Sequence, residues 1–196
     1  NQQMIELSPE AMPNIERTPV DPEQLAAFSR ESQFMRLAMD LLIEVGSWTC
    51  FAASVMGTSK SWSRDRAAVG GNLVRLYKLI DSVLDQTNRG RDESMMMFAR
   101  LMFETIVNIR YIIQNYSPAL VDDYVKNSLR HERKLRDRIR SNIEARGGIV
   151  LPIEDRMIQS IERAAKAGGV SLDDASLLQK GPWGGKNVYD KAEAVG

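Results

Sequence analysis

Apolar residues recur at helical spacing along most of this chain. In the first long run, from Leu25 to Phe51, they stand mainly three and four positions apart, which places them on one helix face. No convincing run alternates apolar and polar positions as a half-buried strand would. We therefore predict an all-α protein, an antiparallel bundle of five to six helices, with helical segments at about residues 21–57, 62–87, 91–114, 118–146 and 152–168 and a short one after 171.

Capping residues and glycines predict where these helices begin and end. Asp21-Pro22 and Ser117-Pro118 each combine an N-cap with a proline at the first helical position. Gly46 predicts a break in the first helix. Gly70 and Gly71 lie inside the second helix, where each costs about 1 kcal/mol relative to alanine. We expect the backbone of a neighbouring segment to approach closely there.

The pattern also predicts the domain organisation. Residues 1–20 are polar and contain three prolines, which favours a poorly ordered, flexible N-terminal arm. Residues 21–196 are expected to form a single helical-bundle domain. Its last helix begins near 187 and reaches Gly196, so we expect that helix to be truncated.

Met95–Ile113 is the most apolar stretch, and it carries a polar stripe. Arg100, Glu104, Asn108 and Tyr111 recur on one face of the predicted helix. Charges near the centre of the stretch argue against a membrane span. The favoured interpretation is a polar seam in which Arg100 and Glu104 pair and Asn108 bonds a neighbouring helix. The alternative is a cleft that binds a small molecule or nucleotide.

Charge is balanced over the whole chain, with 26 basic and 26 acidic residues, so no global field recruits nucleic acid or an anionic membrane. Within residues 126–146, however, eight basic residues face three acidic ones. We interpret this segment as a solvated helix face, with RNA or DNA backbone binding as the alternative. Cys50 is the single cysteine, and its apolar neighbours predict a buried, inert thiol.

Few residues suggest catalysis from their type and spacing alone. His131 is the only histidine, and imidazole side chains often act as general bases, but a plain surface residue is the favoured interpretation. No clustered metal-binding pattern is present, so we predict no metal and no cofactor. The lone cysteine fits a reducing compartment, and we expect a cytoplasmic protein without a membrane partner.

The polar stripe also carries a family resemblance. Its pattern, R-x-x-x-E-x-x-x-N-x-x-Y from Arg100 to Tyr111, resembles the central helix of a bacterial family known only as a domain of unknown function. The later segment with Trp183, Ala192 and Gly196 is similar to that family as well, whose last helix typically carries a histidine. The resemblance covers roughly residues 30 to 196.

That family is similar in turn to the HEPN class of helical bundles. The resemblance implies a homodimer and a role in bacterial defence or a toxin–antitoxin system. Active HEPN proteins cleave RNA without metal through an Arg-x(4–6)-His motif, but Tyr124, Val125 and Lys126 stand where that arginine belongs before His131. We therefore expect a non-catalytic interaction or regulatory module with a protein or RNA partner. The alternative is a metal-independent ribonuclease in which His131 acts with Lys126 or Arg130.

Overall fold

A computed structural model describes residues 13–57, 62–178 and 181–196 of the chain. Within these ranges the protein is all-helical and contains no strand, which confirms the predicted fold class. The α-helices are α1 Pro22–Ala26, α2 Glu31–Gly57, α3 Arg64–Asn88, α4 Asp92–Gln114, α5 Pro118–Ser128, α6 Arg130–Ala145, α7 Pro152–Gly168 and α8 Val188–Val195. Short 3-10 helices lie at Ala175–Leu178 and Trp183–Gly185.

The helices divide into two compact units. The first contains Asn1–Lys60 and Leu73–Phe103, and the second contains Ser61–Asn72 and Glu104–Gly196. The long helices α3 and α4 are each divided between the two units. The expectation of a single domain over residues 21–196 stays a prediction.

In the first unit, α2 runs without interruption through Gly46. The predicted break at this glycine is wrong, because Gly46 serves packing instead: a Cβ there would lie 3.5 Å from Ile80 Cγ2 of α3. The chain breaks earlier, between α1 and α2, at residues 27–30. Cys50 is exposed on α2, so the prediction of a buried thiol is also wrong.

Of the predicted N-terminal arm, residues 1–12 lie outside the described residues. Residues 13–20 are non-helical and contact α2, where the backbone N–H of Thr18 donates to Glu44 Oε2 at 2.7 Å. This bond holds the pKa of Glu44 below its ordinary value. The flexibility of the arm stays a prediction.

The second unit has two clusters of buried apolar residues. One joins the end of α5 to α7 through residues that include Leu129, Ile161 and Leu177. The other joins α4, α5 and α8 around Tyr111, Val121 and Trp183. Because these clusters fix α5 and α8 against their neighbours, they also fix the side chains that these two helices present to the pocket described below.

Two helix predictions change in this unit. The predicted helix 118–146 is divided at Leu129, which is buried with φ −85° and ψ 0° between α5 and α6. The predicted helix after 171 is a 3-10 turn, Ala175–Leu178. Inside α3, a Cβ on Gly70 would clash with Cζ3 of the Trp62 ring. At Gly70 the neighbour is therefore a side chain, and nothing lies within 4 Å of a Cβ on Gly71, so the predicted backbone approach is wrong.

Candidate ligand-binding site

The segment before α8 is tied to α5 and α6. The carbonyl oxygen of Gly181 accepts hydrogen bonds from Arg130 Nη1 at 2.6 Å and from Asn127 Nδ2 at 3.3 Å. The N–H of Gly184 donates to Asp123 Oδ2 on α5. Trp183 lies between Gly181 and Gly184 in the sequence, so these three bonds fix its position beside the two helices.

Trp183 forms an aromatic cluster with two tyrosines. Its ring meets Tyr111 of α4 and Tyr124 of α5 edge to face, with centroids 5.6 Å and 5.0 Å away. Gly184 has φ +65°, and a Cβ on it would lie 3.1 Å from Leu120 Cδ1. Glycine at this position therefore permits both the left-handed backbone and the close packing of the turn.

A lysine of α8 is buried against this cluster. Lys191 is only 1% exposed, and its Nζ lies 3.4 Å from the centroid of Trp183 and 5.7 Å from that of Tyr111. Within the described part of the chain, no hydrogen bond or salt bridge reaches this ammonium. Burial lowers the pKa of Lys191 to about 8, although the negative charge of Asp123 opposes the shift.

An open pocket of about 770 Å³ lies between α6 and the segment that leads into α8. Five cationic side chains and one carboxylate, Asp137, line it, which gives a net charge of +4 with histidine neutral. Such a one-sided charge distribution in a cleft attracts anions. The charged and polar lining residues are Asn108, Asn127, Arg130, His131, Arg133, Lys134, Asp137, Lys186, Asn187 and Lys191, and the apolar ones are Leu177, Leu178, Pro182, Trp183 and Val188.

Three buried atoms of lining residues have no hydrogen-bond partner. They are Asn108 Oδ1 on α4 and the Nε atoms of Arg130 and Arg133 on α6. A buried polar atom without a partner costs roughly 1–3 kcal/mol. The pocket therefore offers one unsatisfied acceptor and two unsatisfied guanidinium donors in addition to Lys191.

The predicted site residues are only partly brought together. Asn108, Arg130 and His131 line the pocket, and His131 is exposed. Lys126 does not line it and forms salt bridges with Asp122 at 3.0 Å and Asp174 at 3.3 Å. These two carboxylates hold the pKa of Lys126 above its ordinary value. The catalytic roles assigned to His131, Lys126 and Arg130 stay predictions.

The predicted polar seam also divides. Tyr111 belongs to the aromatic cluster and Asn108 to the pocket, whereas Arg100 and Glu104 line no part of the pocket and are engaged by interactions elsewhere. The pairing predicted between Arg100 and Glu104 stays a prediction.

Most of the basic segment 126–146 is neutralised by nearby acids. Besides Lys126, salt bridges engage Arg136 with Asp173 at 2.8 Å and Arg140 with Glu162 at 3.6 Å. Arg133 and Arg146 are also paired, with Asp137 and Glu154 respectively. A long phosphate-binding helix face is therefore less favoured than the compact pocket at the start of α6.

Sequence reasoning missed Lys191. The available signal was the spacing of Val188, Lys191 and Val195, which puts a lysine on the apolar stripe of a short helix. Among the described residues, no cluster of histidine, cysteine and carboxylate side chains is arranged to hold a metal ion. The same residues include no helix long and apolar enough to cross a membrane.

Comparison with known proteins identifies a family. No curated protein and no solved structure matches the chain significantly. A family model described as a family of unknown function, DUF5677, matches residues 66–196, which include α4 to α8 and the whole pocket. Residues 30–65, which the resemblance also covered, lie outside this match. The chain therefore belongs to the DUF5677 family.

Proposed function

We propose that this protein is a non-catalytic binding module that takes a small phosphorylated ligand, of the size of a nucleotide, in the pocket beside α6. The supporting observation is the net charge of +4 around a pocket of about 770 Å³. This volume is typical of small-molecule sites. Leu177, Leu178 and Val188 provide an apolar wall for a base or sugar, while the cations provide for phosphate.

This proposal refines the expectation of an interaction or regulatory module. The HEPN-like relationship, bacterial defence or a toxin–antitoxin setting, and a cytoplasmic location remain proposals supported by the sequence. A homodimer is supported by apolar side chains exposed on α2, among them Phe34 and Ile43. A protein or RNA partner would then respond to occupancy of the pocket.

The test is binding of nucleoside mono-, di- and triphosphates to the full chain, measured by calorimetry. Lys134 lines the pocket, and Arg138 stands one turn later on α6 without lining it. Reversing a charge about 6 Å from a phosphate in water changes the interaction by roughly 1.4 kcal/mol, or about tenfold in affinity. Lys134→Glu should therefore weaken binding about tenfold, and Arg138→Glu should have little effect. Failure of the wild type to bind any nucleotide or phosphate would refute the proposal.

A metal-independent ribonuclease is the second candidate, because His131 and Arg130 line the same pocket. RNA incubated with the wild type and with His131→Ala distinguishes the two functions. Cleavage by the wild type alone supports the ribonuclease, and equal rates for the two proteins contradict it.

A further inference from the structure

A buried ammonium and a buried amide oxygen of pocket-lining residues both lack a hydrogen-bond partner, in addition to the Nε atoms of Arg130 and Arg133. Lys191 is 1% exposed and has aromatic rings as its nearest neighbours rather than an acceptor. Asn108 Oδ1 is buried and accepts nothing. Both residues line the same pocket. Buried charges are normally paired, and buried amide oxygens are normally bonded.

The two groups are chemically complementary to one kind of ligand. The ammonium of Lys191 donates up to three hydrogen bonds and accepts none. Asn108 Oδ1 only accepts. A ligand that satisfies both must carry an anionic acceptor and an N–H or O–H donor. A phosphomonoester attached to a sugar or base has both, and lysine is a common point-charge partner for phosphate.

We propose that Lys191 binds the phosphate of a phosphomonoester at the inner end of the pocket while Asn108 Oδ1 accepts a hydrogen bond from the same ligand, an assignment that rests on the function proposed above. The exposed side chains of Lys134 and Lys186 then attract the ligand from solvent. Lys191 differs from them because its charge is desolvated, so its bond to an anion is stronger than that of an exposed lysine.

The charges around Lys191 define how binding depends on pH. Asp123 of α5 and Tyr111 of α4 face it, Lys186 precedes its own helix, and α6 contributes the cations Arg130, Arg133 and Lys134 with His131 and Asp137. Burial sets the pKa of Lys191 at about 8 in the free protein. A bound phosphate favours the ammonium form, so affinity should fall about tenfold for each pH unit above 8. Titration of the ligand adds no pH dependence above pH 8, because the second pKa of a phosphomonoester is about 6.

The experiment measures binding of AMP, ribose 5-phosphate, inorganic phosphate and adenosine to the full chain by calorimetry at pH 7.0 and 9.5. We expect AMP and ribose 5-phosphate to bind and adenosine to fail. Binding of inorganic phosphate as tight as that of AMP would instead assign the site to free phosphate. AMP affinity should fall about 30-fold between the two pH values, which follows from the pKa of about 8.

Two variants complete the test. Lys191→Met should weaken AMP binding at least about 100-fold at pH 7.0 and remove the pH dependence, as expected when a desolvated charge pair is lost. Lys186→Met, which removes an exposed lysine of the same pocket, should weaken binding only a few fold. If the wild type binds AMP with equal affinity at both pH values, or Lys191→Met binds as the wild type does, the assignment of Lys191 is overturned while the proposed function stands. If the wild type binds none of the phosphates, the proposed function itself fails.

Discussion

Replacing Lys191 with methionine should stabilise the protein at neutral pH. The folded structure lowers the pKa of this lysine from 10.5 to about 8, mainly through burial. Each pKa unit corresponds to about 1.36 kcal/mol, so the buried ammonium costs up to roughly 3 kcal/mol at pH 7 relative to the unfolded chain. Methionine has a similar length and makes favourable contacts with aromatic rings, so it keeps much of the packing on Trp183.

The pH dependence of this effect identifies its cause. Between pH 8 and 10.5 the folded protein holds fewer protons at Lys191 than the unfolded chain does, so the stability of the wild type rises with pH. Below pH 8 both states are protonated, and the cost is constant. The advantage of Lys191→Met should therefore be largest at or below pH 8 and should shrink by about 1.4 kcal/mol per pH unit above it.

Urea unfolding followed by circular dichroism at pH 7, 8.5 and 10 measures this difference. Taking the difference between variant and wild type removes the titration of groups that the two proteins share. Lys186→Met is the matched control, because Lys186 is exposed and precedes the same helix; its difference from the wild type should not change with pH. If Lys191→Met is less stable than the wild type at pH 7, or its advantage does not vary with pH, the ammonium stabilises the fold and our reasoning is wrong.

Three other predictions concern the turn before α8, the start of α7 and the oligomeric state. Gly184→Ala should lower the free energy of unfolding by roughly 1–3 kcal/mol in urea titrations, because it puts a Cβ on a residue with φ +65° and only 3.1 Å from Leu120. Glu154 accepts hydrogen bonds from Arg146 and from the N–H of Leu151, and these bonds lower its pKa. The stability that the carboxylate provides should therefore be present above pH 4.5 and lost as the pH falls below that value. Thermal unfolding of Glu154→Gln should accordingly depend less on acid pH than that of the wild type. Light scattering at micromolar concentration should give the mass of a homodimer, and a strictly monomeric mass would count against that proposal.

The helix boundaries show what the sequence could predict. Asp21 accepts from the N–H of Glu23 at 3.0 Å, and Ser117 accepts from that of Leu120 at 3.1 Å, so both predicted N-caps are confirmed. Gly169 ends α7 with φ +65°, as a glycine after a helix should. These signals are local, because a cap bonds residues two or three positions away.

The predictions that are wrong depend on distant residues. Leu129 has no helix-breaking side chain, yet the chain turns there because its side chain is buried with Ile161 and Leu172. Cys50 stands among apolar neighbours in the sequence, yet it is exposed because burial depends on what covers a helix face. Neither outcome follows from the residues nearby in the chain.

The candidate site could be predicted only in part for the same reason, because it depends on residues that are distant in the sequence. His131 and the basic segment were predicted as candidate sites from their residue types. Of the helix α6, however, only the beginning lines the pocket. Lys191 is one of 26 basic residues, and only its place on the face of Val188 and Val195 distinguishes it. Its chemistry comes from Trp183, eight residues earlier, and Tyr111, eighty residues earlier, which together desolvate its charge. A lysine on the apolar face of a short helix is therefore a useful signal for a ligand site, because a fold that buries such a charge without an acceptor gains stability when an anion arrives.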